Sequence, residues 1–165
     1  MVTTWALATC PVDEVWWVPT FDHAFGKQLA PFELRVHLCG LSARHFTHAR
    51  VSEIEGEMGG ESRTIDTLEE LRRRHPSTRF SMLIGADLVE TLPRWKRYED
   101  LVRDYEIFVV GRGSVDAPTE SIAIPDISST ALRAALEAGE DELPSQWMDA
   151  EALVALRAAG VFARK

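Results

Sequence analysis

"RFSMLIGADL", residues 79 to 88, decides how the rest of the chain reads. Residues 79 to 85 form a short apolar run closed by glycine, the pattern of a strand buried on both faces. Three more stretches read the same way: "DEVWWVP" (13 to 19), "ARVSEI" (49 to 54) and "EIFVVG" (106 to 111). "SIAIPD" (121 to 126) is a shorter fifth. Between them lie helical patterns. Residues 31 to 45 place Leu34, Leu38 and Leu41 on one face, and residues 64 to 75 do so with Ile65, Leu68 and Leu71. Further helices fit 96 to 103, 129 to 138 and 150 to 159. The last two are followed by Gly139 and Gly160, where a helix ends cheaply with φ > 0. Strands alternating with helices predict an α/β fold: a Rossmann-like, doubly wound, mostly parallel sheet with helices on both faces. No repeat, low-complexity tract or linker divides the chain, so residues 1 to 165 are expected to form a single α/β domain. The opening residues (Trp5, Ala6, Leu7, Ala8) read as the tail of a helix, and no first strand and tight turn feed it.

Composition narrows the class. Hydrophobic residues make up 45% and charged residues 27%, as in ordinary globular proteins. The formal charge of −8 argues against a general nucleic-acid binder. No apolar run is long enough to span a bilayer, and the start lacks the basic and apolar regions of a secretory signal. Cys10 and Cys39 have no metal-ligand spacing and read as reduced thiols of a cytoplasmic protein. The basic run Arg72 to His75 reads as a solvated helix end, where cations suit the dipole.

In open parallel sheets ligands bind beyond the carboxyl ends of the strands, which is where Gly85 and Asp87 fall. Glycine there lets a ligand approach the backbone, and Asp87 suits ribose hydroxyls; a plain helix cap is the alternative for Asp87. "LPRWKRYED" surrounds Trp95 with Arg94, Lys96 and Arg97, too polar a setting for a simple core tryptophan. Its indole can stack on an aromatic base with Tyr98 close by, or pack with its edge exposed. "ESRTIDTL" puts Thr64 and Thr67 at a helix start, as caps or as contacts to a ligand anion. "ISSTALR" brings Ser128, Ser129 and Thr130 to the mouth of another helix, with Arg133 one turn in. One hydroxyl is enough to cap a helix, so the run reads either as redundant capping or, with the guanidinium, as a cradle for phosphate oxygens. Lys27, after Gly26 in a loop, can swing onto phosphates, and His23 lies in the same loop. No Walker pattern, dinucleotide fingerprint or covalent nucleophile arrangement is present, and no metal-ligand set is read.

In this order the pieces resemble the nicotinate-nucleotide adenylyltransferase family of the nucleotidylyltransferase superfamily, over nearly the whole chain. "ESRTIDTL" is similar to its S-Y-T-x-x-T-L segment, "LIGADLVETLPRWKRYED" to its I-G-x-D…P-x-W-x-x-Y-E run, and "ISSTALR" to its I-S-S-T-x-I-R signature. The resemblance implies adenylyl transfer from ATP, carried with Mg²⁺, to nicotinate mononucleotide. It implies that Ser128, Ser129, Thr130, Arg133 and Lys27 hold phosphates and that Gly85 and Asp87 meet the ribose. Trp95 would lie against the pyridine ring, with Tyr98, Thr64 and Thr67 nearby.

Two departures stand out. Arg63 takes the place of the family's tyrosine, and none of the five histidines (His23, His37, His45, His48, His75) stands in the family's H-x-G-H turn. The catalytic residues are therefore unassigned. The resemblance implies either that the first strand and that turn lie upstream of Met1 or that the chain is a shortened, non-catalytic nucleotide-binding module. The first is favoured because the ATP-side motifs are intact; either way, the 165 residues alone are expected to turn over little. Nicotinamide mononucleotide, or another phosphate acceptor, is the alternative substrate.

Overall fold

The computed structural model describes residues 1–22, 29–111, 129–140 and 142–162. Two parallel strand pairs form its centre. β1 (Val15–Trp17) pairs with β2 (Ala49–Val51), and β3 (Met82–Gly85) pairs with β4 (Ile107–Val110). Among the described residues no ladder joins the two pairs. Among the described residues the α-helices are α1 (Val2–Thr9), α2 (Phe32–Ala43), α3 (Ile54–Met58), α4 (Thr64–Arg74), α5 (Tyr98–Asp104), α6 (Ser129–Ala138), α7 (Glu142–Trp147) and α8 (Ala150–Ala158).

Side-chain alternation sets the layers. Met82 and Ile84 of β3, with Ile107 and Val109 of β4, pack with Ile65, Leu68, Leu92, Leu101 and Tyr105, which come from α4, α5 and the segments beside them. Leu83 and Val110 point the other way, against Trp5 and Ala6 of α1. β1 uses the same two faces. Val15 joins the α1 cluster, and Trp17 Nε1 donates to the buried Thr3 Oγ1 at 3.2 Å. Trp16 faces the opposite layer, edge-on to His75 and Phe80 with centroids 4.9 and 5.1 Å away. The two pairs therefore share one inside and one outside although no backbone hydrogen bond links them. His75, read from sequence as part of a solvated helix end, is instead half-buried against Trp16.

Most elements lie where the pattern puts them. Ile65, Leu68 and Leu71 are buried on α4, while Leu34, Leu38 and Leu41 of α2 are only half-buried. Gly139 and Gly160 both have positive φ, 75° and 64°. At the first, Glu140 N–H reaches the Ala135 carbonyl and Gly139 N–H the Leu136 carbonyl, a Schellman closure. The strand expected over 49 to 54 ends at Val51, and Ile54 instead opens α3, where it is 3% exposed. The helix expected over 96 to 103 begins at Tyr98, because Arg97 takes a left-handed conformation (φ 53°). Residues 121 to 126 lie outside the described residues. Cys10 and Cys39 are free thiols. Among the described residues no helix is long and apolar enough to cross a membrane.

The C-terminal helix is clamped at its start. Asp149 caps α8 by accepting from Ala152 N–H at 2.9 Å, and its other oxygen meets His45 Nε2 at 2.6 Å. Arg44 at the end of α2 reaches Glu151 at 2.6 Å. These bonds tie α8 to α2. The Ala152 amide, and after it His45, hold the Asp149 carboxyl below the usual carboxylate range.

Two predictions follow from the packing. Leu101 is fully buried, so Leu101→Ala should lower the unfolding free energy by about 2–5 kcal/mol in denaturant titration. A loss well under 1 kcal/mol would place Leu101 outside the core. Because Asp149 is depressed in the folded state, its contribution is present above the ordinary range near pH 4 and fades as pH falls through the folded value. Asp149→Ala should therefore melt several degrees lower than wild type at pH 7 and converge with it in acid; Asp149→Asn, which still caps, should recover most of the loss. Equal melting of Asp149→Ala and wild type at pH 7 would remove the clamp.

Candidate active site

Because α5 returns the chain from β3 to the parallel β4, its start lies at the carboxyl end of β3 and its finish at the amino end of β4. Gly85 closes β3 and opens a 3-10 turn, Ala86–Leu88. Asp87 is exposed within that turn, and its side chain folds back over Gly85. A Cβ on residue 85 would collide with the Asp87 carboxylate, so only glycine permits this approach. The alternative of Asp87 as the cap of that turn does not apply: Gly85 occupies the cap position.

Trp95 and Tyr98 are half-buried and rest on the cluster that contains Ile84 and Ile65. Left-handed Arg97, whose strain a non-glycine residue bears only when its surroundings fix it, turns the chain between them. Its guanidinium is held by Glu69 at 2.9 Å and Asp100 at 2.5 Å. Lys96 reaches Asp66, in the first turn of α4, at 2.7 Å. These ion pairs tie two of the three polar neighbours of Trp95, Lys96 and Arg97, to α4. Thr64, the first residue of α4, is half-buried in this neighbourhood. Arg63 precedes it, and its guanidinium binds Glu61 at 2.6 Å.

Thr67 lies one turn further in and is 5% exposed. Its hydroxyl donates to Glu55 Oε1 at 2.8 Å. Glu55 Oε2 in turn accepts from Phe21 N–H at 3.1 Å, and Ser62 Oγ accepts from the same amide at 3.0 Å. Arg35 completes the frame, donating to the carbonyls of Thr20, Phe21 and Ala30. Reading by motif missed Arg35, Glu55 and Ser62, since their partners lie up to 41 residues away and no local spacing announces them. The only signal was that each is a polar residue in an otherwise half-buried setting. Burial raises the Cys39 thiol above its ordinary value and lowers Arg35 from its own.

Ser129 and Thr130 are the first two residues of α6 and both are exposed. Arg133 is half-buried one turn on, and among the described residues no carboxylate pairs with it. Three polar groups thus stand at a helix start, the end of a helix that favours an anion. α6 packs chiefly on α7, and no hydrogen bond or ion pair among the described residues links it to Trp95 or Gly85. Ser128, Lys27 and His23 lie outside the described residues. Among the described residues no cluster of three or more His, Cys, Asp or Glu side chains is arranged to hold a metal.

No protein-family profile matches the chain. Individual proteins do. A probable nicotinate-nucleotide adenylyltransferase of Anaeromyxobacter dehalogenans strain 2CP-C is 42% identical over 144 residues, covering 86% of this chain and 77% of the relative. One from Myxococcus xanthus strain DK1622 is 39% identical and covers 100% of this chain and 87% of the relative. Among solved structures, Plasmodium falciparum nicotinic acid mononucleotide adenylyltransferase complexed with NaAD superposes with a TM-score of 0.81, at 17% identity, over 98% of this chain and 88% of that one. The same enzyme complexed with APC gives 0.78. The structural likeness fixes the fold as Rossmann-like, and the extended sequence identity fixes the lineage: the chain belongs to the nicotinate-nucleotide adenylyltransferase family.

Proposed function

We propose that the chain carries the site for adenylyl transfer from ATP to nicotinate mononucleotide, giving nicotinate adenine dinucleotide and pyrophosphate in cytoplasmic NAD biosynthesis. The observation that carries this reading is the identity of 39% and 42% to curated adenylyltransferases over most of the chain. The half-buried indole beside the carboxyl end of β3, and a guanidinium on α6 that pairs with no carboxylate among the described residues, offer the chemistry it needs.

In this reading the phosphate oxygen of the mononucleotide attacks the α-phosphorus of ATP in line and pyrophosphate leaves. That oxygen is already ionised at neutral pH, so no side chain has to remove a proton. What the protein supplies is alignment of two polyanions and stabilisation of charge on the equatorial oxygens. Ser128, Ser129 and Thr130 offer hydroxyls and amides to the triphosphate, Arg133 adds a fixed positive charge, and Lys27 supplies a second from the loop. Mg²⁺ bound with ATP would neutralise part of the triphosphate's charge. Gly85 admits the nucleotide to the backbone while Asp87 accepts from its ribose. Trp95 stacks on the pyridine ring, with Tyr98 flanking it. Thr64 meets the acceptor at the start of α4; Thr67, its hydroxyl committed to Glu55, acts through the placement of that first turn.

Arg133→Ala tests the cradle. Calorimetric affinity for ATP should fall by about tenfold, the loss of one charge-assisted contact, with the melting temperature unchanged. Unaltered affinity would count against phosphate binding at α6. Titrating acceptors in parallel separates the substrates: nicotinate mononucleotide should bind most tightly, and a preference for a phosphopantetheine acceptor would end the assignment.

A further inference from the structure

The end of the β3–β4 pair opposite Gly85 carries a feature that adenylyl transfer does not use. A depression of about 300 Å³ lies where α4 and α5 finish and the strands begin. Its lining includes Arg72 from the last turn of α4, Ser77, Thr78 and Arg79 from the loop into β3, and Asp104 and Tyr105 from the end of α5. The volume sits at the small end of ligand pockets.

Three observations bear on what it takes. Arg73 and Arg74, beside Arg72, are consumed by Glu70 and Glu57, whereas Arg72 and Arg79 have no ion pair or hydrogen bond among the described residues. Arg72 instead lies over the Tyr105 ring, 5.7 Å from its centroid. Of the carboxylates nearby, two are already engaged: both oxygens of Asp104 accept from Arg103 at 2.8 Å, and Glu69 is held by Arg97 at 2.9 Å. Glu106 is exposed next to Tyr105 and is not among the lining residues, which carry two arginines and one carboxylate. Finally, Tyr105 is 5% exposed, and among the described residues its hydroxyl has no hydrogen-bond partner. A buried donor without an acceptor is costly, and native structures seldom retain one that nothing satisfies.

We propose that this depression binds a small oxyanion, either phosphate or the phosphate group of a small metabolite, at a site separate from the nucleotide. Arg72 and Arg79 supply charge-assisted hydrogen bonds, and Ser77 and Thr78 supply hydroxyls. The Tyr105 hydroxyl donates to the anion directly or through one water. The carbonyl-rich ends of α4 and α5 oppose an anion here, and the two arginines offset them.

The test is an NMR titration of the isotopically labelled full chain in the Arg133→Ala background, which weakens the cradle on α6. Inorganic phosphate and glycerol 3-phosphate are titrated separately. Saturable shifts should appear at the Ser77, Thr78 and Tyr105 amides. Stronger binding of glycerol 3-phosphate identifies a metabolite as the source; equal binding identifies free phosphate. Arg72→Gln with Arg79→Gln, both exposed positions, should keep the melting temperature and weaken binding at least about tenfold. Tyr105→Phe keeps the ring beneath Arg72 and should weaken it several-fold. No saturable shift at these amides, or unchanged affinity in either variant, overturns the site.

Discussion

Trp5 and Ala6 of α1 hold the architecture together. Parallel strands normally bind their neighbours through continuous ladders, yet among the described residues β1–β2 and β3–β4 are separate pairs. Helix α1 lies across both, touching Val15 on one side and Leu83 and Val110 on the other. The opposite face is closed by Trp16 of β1 against Phe80, which itself rests on the core under α4. Side-chain burial, which is non-directional, and the Trp17–Thr3 bond help to align the pairs. Among the described residues the buried Trp5 Nε1 has no acceptor, and its indole packs through apolar contacts.

From that alignment the two ends of the sheet acquire different chemistry. Parallel strands and returning helices put helix starts and strand carboxyl ends at one pole, with helix finishes and strand amino ends at the other. Gly85, Asp87, Trp95, Tyr98 and Thr64 belong to the first pole. Arg72, Arg79 and Tyr105 belong to the second. The network of Arg35, Glu55, Ser62 and Thr67 frames the loop that follows β1 and ties it to α4, so a polar constellation with no motif of its own supports the candidate site.

How legible this was depends on the range of the interactions. The helix at 129 to 138 was readable to its last residue because Gly139 marks the end and the apolar spacing is regular. β3 was readable because its apolar run packs on both faces, Met82 and Ile84 buried on one and Leu83 half-buried under α1 on the other. α3 was not: Ile54 looks like the tail of a strand, and the five-residue helix owes its place to Gly56, which lets it approach Phe32 of α2. The left-handed Arg97 left no trace in composition, since an arginine there is chosen by Glu69 and Asp100 and not by backbone preference. At the candidate site, residue types and order were legible, but the commitment of the Thr67 hydroxyl to Glu55 was not. That bond joins two helices, and no rule of local spacing reaches across them.

Whether α6 and the β3 pole serve one nucleotide is the claim on which the functional account turns. Amide hydrogen exchange of the full chain, with and without ATP plus nicotinate mononucleotide, addresses it directly. The account predicts that protection rises together, over one concentration range, at Ser129 to Arg133, at Gly85 to Asp87 and around Trp95 to Tyr98. Protection confined to α6, with the β3 pole unchanged at saturation, would contradict it.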